Sequence, residues 1–260
     1  MSDKLERTIN QLRNSNIELE KDIEEKSKID EMRKSFISDV SHELKTPIAL
    51  IQGYSEGLLE NVNTDEESRK FYAEVILDET NKMDKLVKQL LELMKLEYGK
   101  RQFNDKKFNI VEVEKEVVRK SKVMLEEKKV KIEFNLSEEI NVFADDFYIE
   151  QVISNYITNA IKHVKEIDGK KVISIVNEVN IEKNKVRVKI FNTGENIAEE
   201  HINRIWNRFY KVDESRNRTD GGTGIGLSFV KAIMNNYGNR YGVTNKEDGV
   251  EFYFDLDLIV

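Results

Sequence analysis

Segment 41–47 places one histidine on a predicted helix beside residues that suit phosphoryl chemistry. Its sequence is Ser-His-Glu-Leu-Lys-Thr-Pro, and His42 falls off the apolar seam of that helix, toward solvent. A solvent-facing imidazole is largely neutral near pH 7, so one ring nitrogen can attack phosphorus. Glu43 could hold the other ring nitrogen. Thr46 lies one turn from His42 on the same side, where its hydroxyl could position a water. An ordinary surface histidine is the alternative for this residue taken alone.

A polar stripe on a later helix has the chemistry of a metal–phosphate site. Asn155, Asn159 and Lys162 recur at helical spacing beside the apolar face of a helix predicted over 146–164. Magnesium prefers hard oxygen ligands, keeps several waters and is usually shared with substrate phosphates. An Asn carbonyl suits that role, and a lysine can meet a phosphate. The stripe alone could equally be an ordinary polar helix face.

Glycines follow a long polar segment near the end of the chain. Residues 221–228 read Gly-Gly-Thr-Gly-Ile-Gly-Leu-Ser, and a helix is predicted over 225–237. Glycine lets the backbone approach phosphates closely, and a helix N-terminus offers free N–H groups. The run lacks the Gly-Lys-Ser/Thr of a P-loop and the third glycine of a dinucleotide-binding fingerprint. We interpret the polar segment 213–220 before it as a lid over a nucleotide.

Two further groups lie between the polar stripe and the glycines. Asn192 continues the inward face of a predicted strand, and Gly194 then helps to turn the chain. A buried amide should find a partner, so Asn192 either caps that turn or faces an adenine edge. Residues 205–211 read Ile-Trp-Asn-Arg-Phe-Tyr-Lys and contain Arg208 and Phe209. Aromatics with flanking cations fit a nucleotide site or a core with a solvated rim.

The N-terminal part of the chain reads as helical. Apolar stripes over 32–58 and 72–93 flank a capping box, Thr64 with Glu67, which predicts an antiparallel hairpin. One hairpin buries one stripe per helix, so we expect a homodimer that forms a four-helix bundle. A heptad stripe with one polar member precedes it and predicts a coiled coil over 1–30: Leu5, Ile9, Leu12, Asn16, Leu19 and Ile23.

The C-terminal part, 105–260, alternates strand and helix patterns and reads as an α/β two-layer sandwich. Apolar and polar residues alternate over 131–136, 186–192 and 250–258, which predicts three strands. Each strand has one polar face, as in a sheet that helices cover on one side. The remaining apolar patterns predict helices over 110–128, 146–164 and 225–237.

Composition excludes several classes of function. The net charge of −7 argues against a nucleic-acid binder, which needs a basic surface. The absence of cysteine excludes disulfides, thiolate metal sites and cysteine nucleophiles. No uninterrupted apolar run approaches the length of about 18 residues that a membrane span requires.

Four motifs together resemble those of bacterial sensor histidine kinases. Segment 41–47, with Phe36 and Asp39 upstream, resembles the H-box of that family. Residues 155–163 resemble its N-box and 205–211 its F-box, and the glycine run follows in the family's order. The resemblance covers residues 30–260. It implies a dimeric four-helix bundle over 31–99, followed by an ATP-binding domain of the GHKL (Bergerat) type over 105–260.

The resemblance also implies an activity and its residues. We expect ATP-dependent phosphorylation of His42, with Glu43 as its acid/base partner, then transfer to an aspartate of a response regulator. Thr46 completes the family's phosphatase pattern, and Asn159 is the expected ligand of Mg²⁺. The residues expected to bind ATP are Asn155, Asn159, Lys162, Asn192, Gly194, Arg208, Phe209, Gly222, Thr223, Gly224 and Gly226.

The chain departs from the family at one motif. Where the family usually has Asp-x-Gly-x-Gly, this sequence has Asn192 and Asn196 in place of the acid and the second glycine. Asn192 keeps an acceptor oxygen for the adenine amino group, so we expect ATP binding to be retained. Two alternatives remain: an ATPase of the gyrase/chaperone type, and a dimeric scaffold that no longer binds ATP. By resemblance we further expect a cytoplasmic part of a membrane sensor, with the membrane span upstream.

Overall fold

The computed structural model describes residues 2–62, 65–97, 102–135, 139–212 and 223–259. Thr64 of the expected capping box, the polar segment 213–220 and Gly222 lie outside these residues. Within the first helix, the side chains of Leu5 and Ile9 also lie outside the description. The chain forms two compact units, Met1–Lys85 and Leu86–Val260.

The first unit is a helical hairpin, as the sequence predicts. Helix α1 spans Ser2–Leu59, and helix α2, Glu66–Glu97, begins after a short turn. The ring of Tyr54 makes edge contacts with Phe71 and Tyr72 at centroid distances of 6.1 and 4.9 Å. A Cβ on Gly57 would lie 2.6 Å from the Tyr72 ring, so this glycine allows the two helices to approach.

The start of α2 is capped by a carboxylate. The backbone N–H of Ser68 donates to Asp65 Oδ1 at 2.7 Å, which satisfies one of the helix's unpaired donors. The same hydrogen bond lowers the pKa of Asp65. A helix start at this point is confirmed, and Asp65 is the cap among the described residues.

The predicted heptad stripe lies on the first half of α1. Leu12, Leu19 and Ile23 are exposed along this helix. Apolar residues in heptad positions gain stability only when a second helix covers them. Their pairing in a coiled coil therefore stays a prediction.

The second unit contains the remaining elements. Its helices are α3 Ile110–Lys120, α4 Lys122–Glu127, α5 Asp146–His163, α6 Glu199–Ile202 and α7 Gly226–Tyr237. Its strands are β1 Lys106–Asn109, β2 Lys131–Asn135, β3 Asn141–Ala144, β4 Val172–Asn180, β5 Lys185–Thr193, β6 Tyr241–Lys246 and β7 Gly249–Asp257.

The main sheet has five strands in the order β2-β4-β5-β7-β6. The β2–β4 pair is parallel and the other neighbours are antiparallel, while β1 and β3 form a separate antiparallel pair. Tyr156 of α5 packs on the rings of Phe252 and Phe254, which face the helices. On the opposite face Arg187 donates to Asp255 at 2.6 and 2.9 Å. The predicted alternation of β5 and β7 is confirmed.

The structure corrects two details of the predicted sheet and helices. The helix expected over 110–128 is interrupted at Ser121, whose hydroxyl donates to the carbonyl of Val117 at 2.9 Å. A serine bonded to its own helix backbone competes with the regular helix ladder. Phe134, expected on an inward face, is 44% exposed because β2 is an edge strand of the sheet.

Residues 102–105 are held on the second unit. The Phe103 ring lies between those of Tyr148 and Tyr237, at centroid distances of 5.0 and 4.9 Å. The Tyr237 hydroxyl donates to Asp105 at 2.6 Å and accepts from the backbone N–H of Asp145 at 2.9 Å. Burial, together with the hydrogen bond to Asp105, raises the pKa of Tyr237.

A buried acid lies between α3 and the sheet. Glu114 of α3 accepts a hydrogen bond from Asn177 Nδ2 of β4 at 3.0 Å. Its second oxygen and Asn177 Oδ1 are buried without a hydrogen-bond partner among the described residues. A protonated Glu114 would satisfy both oxygens at once, because its O–H could donate to Asn177 Oδ1. Burial raises the pKa of Glu114 from 4.5 to about 7.

We predict that Glu114→Gln removes a pH dependence of stability. Folding raises the pKa of this acid. Its contribution to the free energy of unfolding should therefore fall as pH rises from about 4.5 to about 7 and stay level above that. The full effect is about 3 kcal/mol. At pH 8 the free energy of unfolding of the variant should therefore exceed that of the wild-type chain by this amount. Urea unfolding, followed by fluorescence of Trp206 in the same unit, measures the difference at each pH. A difference that does not change with pH would contradict this prediction.

Candidate active site

The histidine of the H-box is accessible. His42 and Thr46 are exposed on α1, Glu43 is half-buried, and Pro47 is buried. The helix continues through Pro47. The prediction that His42 faces away from the apolar seam is confirmed for the described residues. An exposed imidazole at this place can be reached by a phosphoryl donor. The contact expected between Glu43 and His42 stays a prediction.

The polar stripe on α5 borders a fully buried face. Asn155, Asn159 and Lys162 are all half-buried. The apolar residues beside them anchor the helix in the core: Tyr148, Ile149, Val152, Ile153, Tyr156, Ile157, Ala160 and Ile161. Because that face is fixed against the sheet, the three polar side chains lie along one edge of α5.

Asn155 lies against the start of α7. A Cβ on Gly226, the first residue of that helix, would lie 2.7 Å from Asn155 Oδ1. Glycine at this position therefore allows the amide to approach the helix backbone. The N-cap residue, Ile225, contributes no side-chain hydrogen bond. The structure thus brings the N-box beside a helix N-terminus, whose backbone N–H groups are suited to bind a phosphate.

The glycine run is fixed to the F-box through the backbone. The N–H of Phe209 donates to the carbonyl of Gly224 at 2.9 Å. Gly224 has φ +68, and a Cβ there would lie 2.7 Å from Phe209 Cα. Phe209 itself has φ +59, which is uncommon for an aromatic residue and stores strain at this point. Residues 209 and 224 therefore form one backbone corner.

A second corner lies at the end of β5. Asn192 is buried, and its Nδ2 donates to the carbonyl of Thr193 at 3.1 Å. Thr193 is tied to the segment after α5, where its hydroxyl donates to the carbonyl of Lys165 at 2.8 Å. Gly194 has φ +153, and a Cβ there would lie 2.8 Å from the carbonyl oxygen of His163. The amide nitrogen of Asn192 is thereby engaged, and its Oδ1 is the atom suited to accept from a base.

Two residues expected to bind nucleotide contact α2. Arg208 donates through Nε to Glu97 Oε1 at 3.1 Å and through Nη2 to Glu97 Oε2. The Thr223 hydroxyl donates to Gln89 Oε1 at 3.1 Å. Sequence reasoning missed Gln89 and Glu97, because they are 134 and 111 residues away along the chain and no motif marks them.

The F-box aromatic residue Trp206 has a core role. Its ring packs on Tyr241 and Phe252 at centroid distances of 4.8 and 6.0 Å. Of the two interpretations of this motif, a core residue with charged neighbours describes Trp206. Arg208 is one of those charged neighbours. The F-box therefore contributes one residue, Trp206, to the core and another, Arg208, to a polar contact with Glu97.

The described residues provide no group of three or more His, Cys, Asp or Glu that could hold a metal ion. A site that depends on one Asn carbonyl and on substrate phosphates, as expected at Asn159, needs no such group. Among the described helices, none has the length and apolar character of a membrane span.

We predict that Gly224→Ala disrupts the first corner while Gly238→Ala only strains the backbone. Both glycines have similar positive φ, +68 and +63, but only at Gly224 would a Cβ overlap other atoms. Gly238→Ala should cost about 1 kcal/mol. Gly224→Ala should cost at least twice as much, because steric overlap adds to the strain, and it should lose Mg-ATP binding. Thermal unfolding and titration calorimetry measure the two effects, and equal results for the two variants would refute the assignment.

Two family models match the chain. The model described as "His Kinase A (phospho-acceptor) domain" matches residues 32–99. The model described as "Histidine kinase-, DNA gyrase B-, and HSP90-like ATPase" matches residues 144–259. The first match contains His42, and the second contains the polar stripe, both corners and α7.

Similar proteins include a curated sensor. "Sensor protein SrrB" of Staphylococcus aureus (strain N315) is 31% identical over 226 residues, which cover 87% of this chain and 38% of SrrB. The chain thus spans less than two fifths of the length of this relative.

Solved structures agree in fold. The Acinetobacter baumannii histidine kinase AdeS has a TM-score of 0.69 and 25% identity, covering 84% of this chain and 98% of AdeS. Histidine kinase ThkA, solved in complex with response regulator protein TrrA, has a TM-score of 0.67 and 28% identity, covering 86% and 61%. With a phospho-acceptor match around His42 and an ATPase match around the α5 stripe, the chain belongs to the sensor histidine kinases of two-component systems.

Proposed function

We propose that this chain phosphorylates His42 from ATP and passes the phosphoryl group to an aspartate of a response regulator. The observation that carries this proposal is the exposed His42 on α1, inside the phospho-acceptor match and followed by the ATPase match in the same chain. A gyrase-type ATPase would have the second match without the first. The phospho-acceptor match therefore favours the kinase.

The transfer requires one nucleophile and one proton acceptor. A neutral nitrogen of His42 forms a bond to the γ-phosphorus while the bond from that phosphorus to the β–γ bridging oxygen breaks, which releases ADP. The imidazole gains positive charge as the new bond forms. Glu43 stabilises that charge and takes the proton from the other ring nitrogen.

Four of this chain's residues are assigned to the nucleotide. Asn159 would hold Mg²⁺ through its carbonyl oxygen, and the bound ion would neutralise charge on the phosphates. Lys162, one turn along α5, would meet a phosphate. Asn192 would accept from the base amino group through Oδ1, since its Nδ2 is engaged by Thr193. Gly226 supports the approach of phosphates to the start of α7.

The partners and the layout belong to the same proposal. We assign 1–30 to a coiled coil, 31–99 to a dimeric four-helix bundle and 105–260 to the ATP-binding domain. The solved complex of ThkA with TrrA supports a response regulator as the acceptor. Thr46, exposed one turn from His42, would position a water for dephosphorylation. The upstream membrane span stays a prediction.

We predict that His42→Gln abolishes autophosphorylation. Glutamine keeps a polar side chain but has no ring nitrogen that can form a phosphoramidate. Incubation with γ-labelled Mg-ATP should label the wild-type chain in an acid-labile, base-stable form, and labelling of the variant should fall at least 100-fold. His201→Gln, which replaces a histidine outside the four motifs, should keep the label. Acid-stable label that persists in His42→Gln would refute the assignment.

We predict that Asn159→Ala weakens ATP binding mainly through the metal. Loss of the carbonyl ligand should reduce Mg-ATP affinity about 10-fold, in the range that a lost metal-site interaction costs. Titration calorimetry with and without EDTA provides the control. The wild-type chain and the variant should bind metal-free ATP equally weakly. A difference that persists without Mg²⁺ would assign Asn159 a role other than metal ligation.

A further inference from the structure

Residues 86–97, the last three turns of α2, belong to the same compact unit as the proposed nucleotide site. Four leucines of this segment are buried, at helical spacing along one face: Leu86, Leu90, Leu93 and Leu96. The carbonyl of Leu96 also accepts from Asn236 Nδ2 of α7 at 3.1 Å. This segment, which we call the docked segment, is therefore joined to α7 by a hydrogen bond.

The docked segment contacts two residues that the family resemblance assigns to ATP binding, Arg208 and Thr223. Glu97 presents both carboxylate oxygens to the guanidinium of Arg208. Gln89, two turns earlier, accepts from the Thr223 hydroxyl at 3.1 Å. The side chains of the Arg208–Glu97 pair are 18% and 27% exposed, so water screens this pair less than a surface pair.

Arg208 and Thr223 are mechanically linked. Each is adjacent in sequence to one member of the backbone corner that Phe209 and Gly224 form through their hydrogen bond of 2.9 Å. Steric contact between the backbones leaves this corner little freedom, since a Cβ on Gly224 would already overlap Phe209. A movement of the backbone at Arg208 would therefore be passed to Thr223 and to its bond with Gln89.

A carboxylate and a phosphate compete for the same guanidinium fork. Both anions offer two oxygens that match the parallel N–H groups of arginine. We propose that Glu97 competes with a nucleotide phosphate for Arg208, so that nucleotide binding weakens the docking of residues 86–97. By thermodynamic reciprocity, docking weakens nucleotide binding by the same factor. This inference rests on the nucleotide site of the proposed function and adds an intrachain regulator to it.

The test measures affinity for Mg-AMPPNP by titration calorimetry in the full chain carrying His42→Ala. That background excludes phosphoryl transfer, so a failure of the proposed transfer to His42 leaves the measurement intact. Glu97→Gln should bind Mg-AMPPNP about 5-fold more tightly, at the lower end of couplings between sites. Glu116→Gln is the matched control, because it breaks a two-pronged pair with Arg119 on α3, at 2.7 and 2.8 Å, and should not change affinity.

A second variant and a second readout complete the design. In an Arg208→Ala background the gain from Glu97→Gln should disappear, since both changes remove the same competition. In the chain with Glu97 intact, hydrogen exchange of the docked segment should become faster when Mg-AMPPNP binds. In Glu97→Gln it should already be faster before any nucleotide is added. The proposal would be overturned if Glu97→Gln and its parent bound Mg-AMPPNP with equal affinity, or if neither bound it. It would also be overturned if the gain in affinity persisted in the Arg208→Ala background.

Discussion

Burial of one face of α5 against the five-stranded sheet is the constraint on which the rest of the ATP-binding unit depends. Its apolar residues are nearly inaccessible, so the helix has one orientation about its axis. That orientation places Asn155, Asn159 and Lys162 along its edge. The same helix ends beside the corner at the end of β5, where Gly194 approaches the carbonyl of His163. One packing surface thus positions both the polar stripe and Asn192.

Close backbone approach is the second recurring feature. Gly224 and Gly226 each lie where a Cβ would overlap a neighbour, the backbone of Phe209 in one case and the amide of Asn155 in the other. The F-box, the glycine run and the N-box are therefore joined through positions that exclude side chains. Glycines in this run serve packing between motifs as well as access for phosphates.

Helix α2 serves both units of the chain. Its first turns form the hairpin with α1, and its last turns supply Gln89 and Glu97 to the unit that contains Arg208 and Thr223. A phosphotransfer protein must bring a donor site to a histidine and also release it. In the proposed function, the contacts of α2 with Arg208 and Thr223 would favour one of these two states, because ionic and hydrogen bonds of this kind exchange readily with a charged ligand.

The sequence by itself determined the helical hairpin, the alternation of β5 and β7, the exposure of His42 and the motifs, because local periodicity records which face of an element is buried. Short strands β1 and β3 carry too few residues for such a pattern, and Ser121 ended a helix through its own backbone bond. Only the tertiary structure decided the pairs of Glu114 with Asn177, Asn155 with Gly226 and Arg208 with Glu97. The physical reason is that a local pattern fixes the direction of a side chain, whereas its partner depends on how distant elements pack.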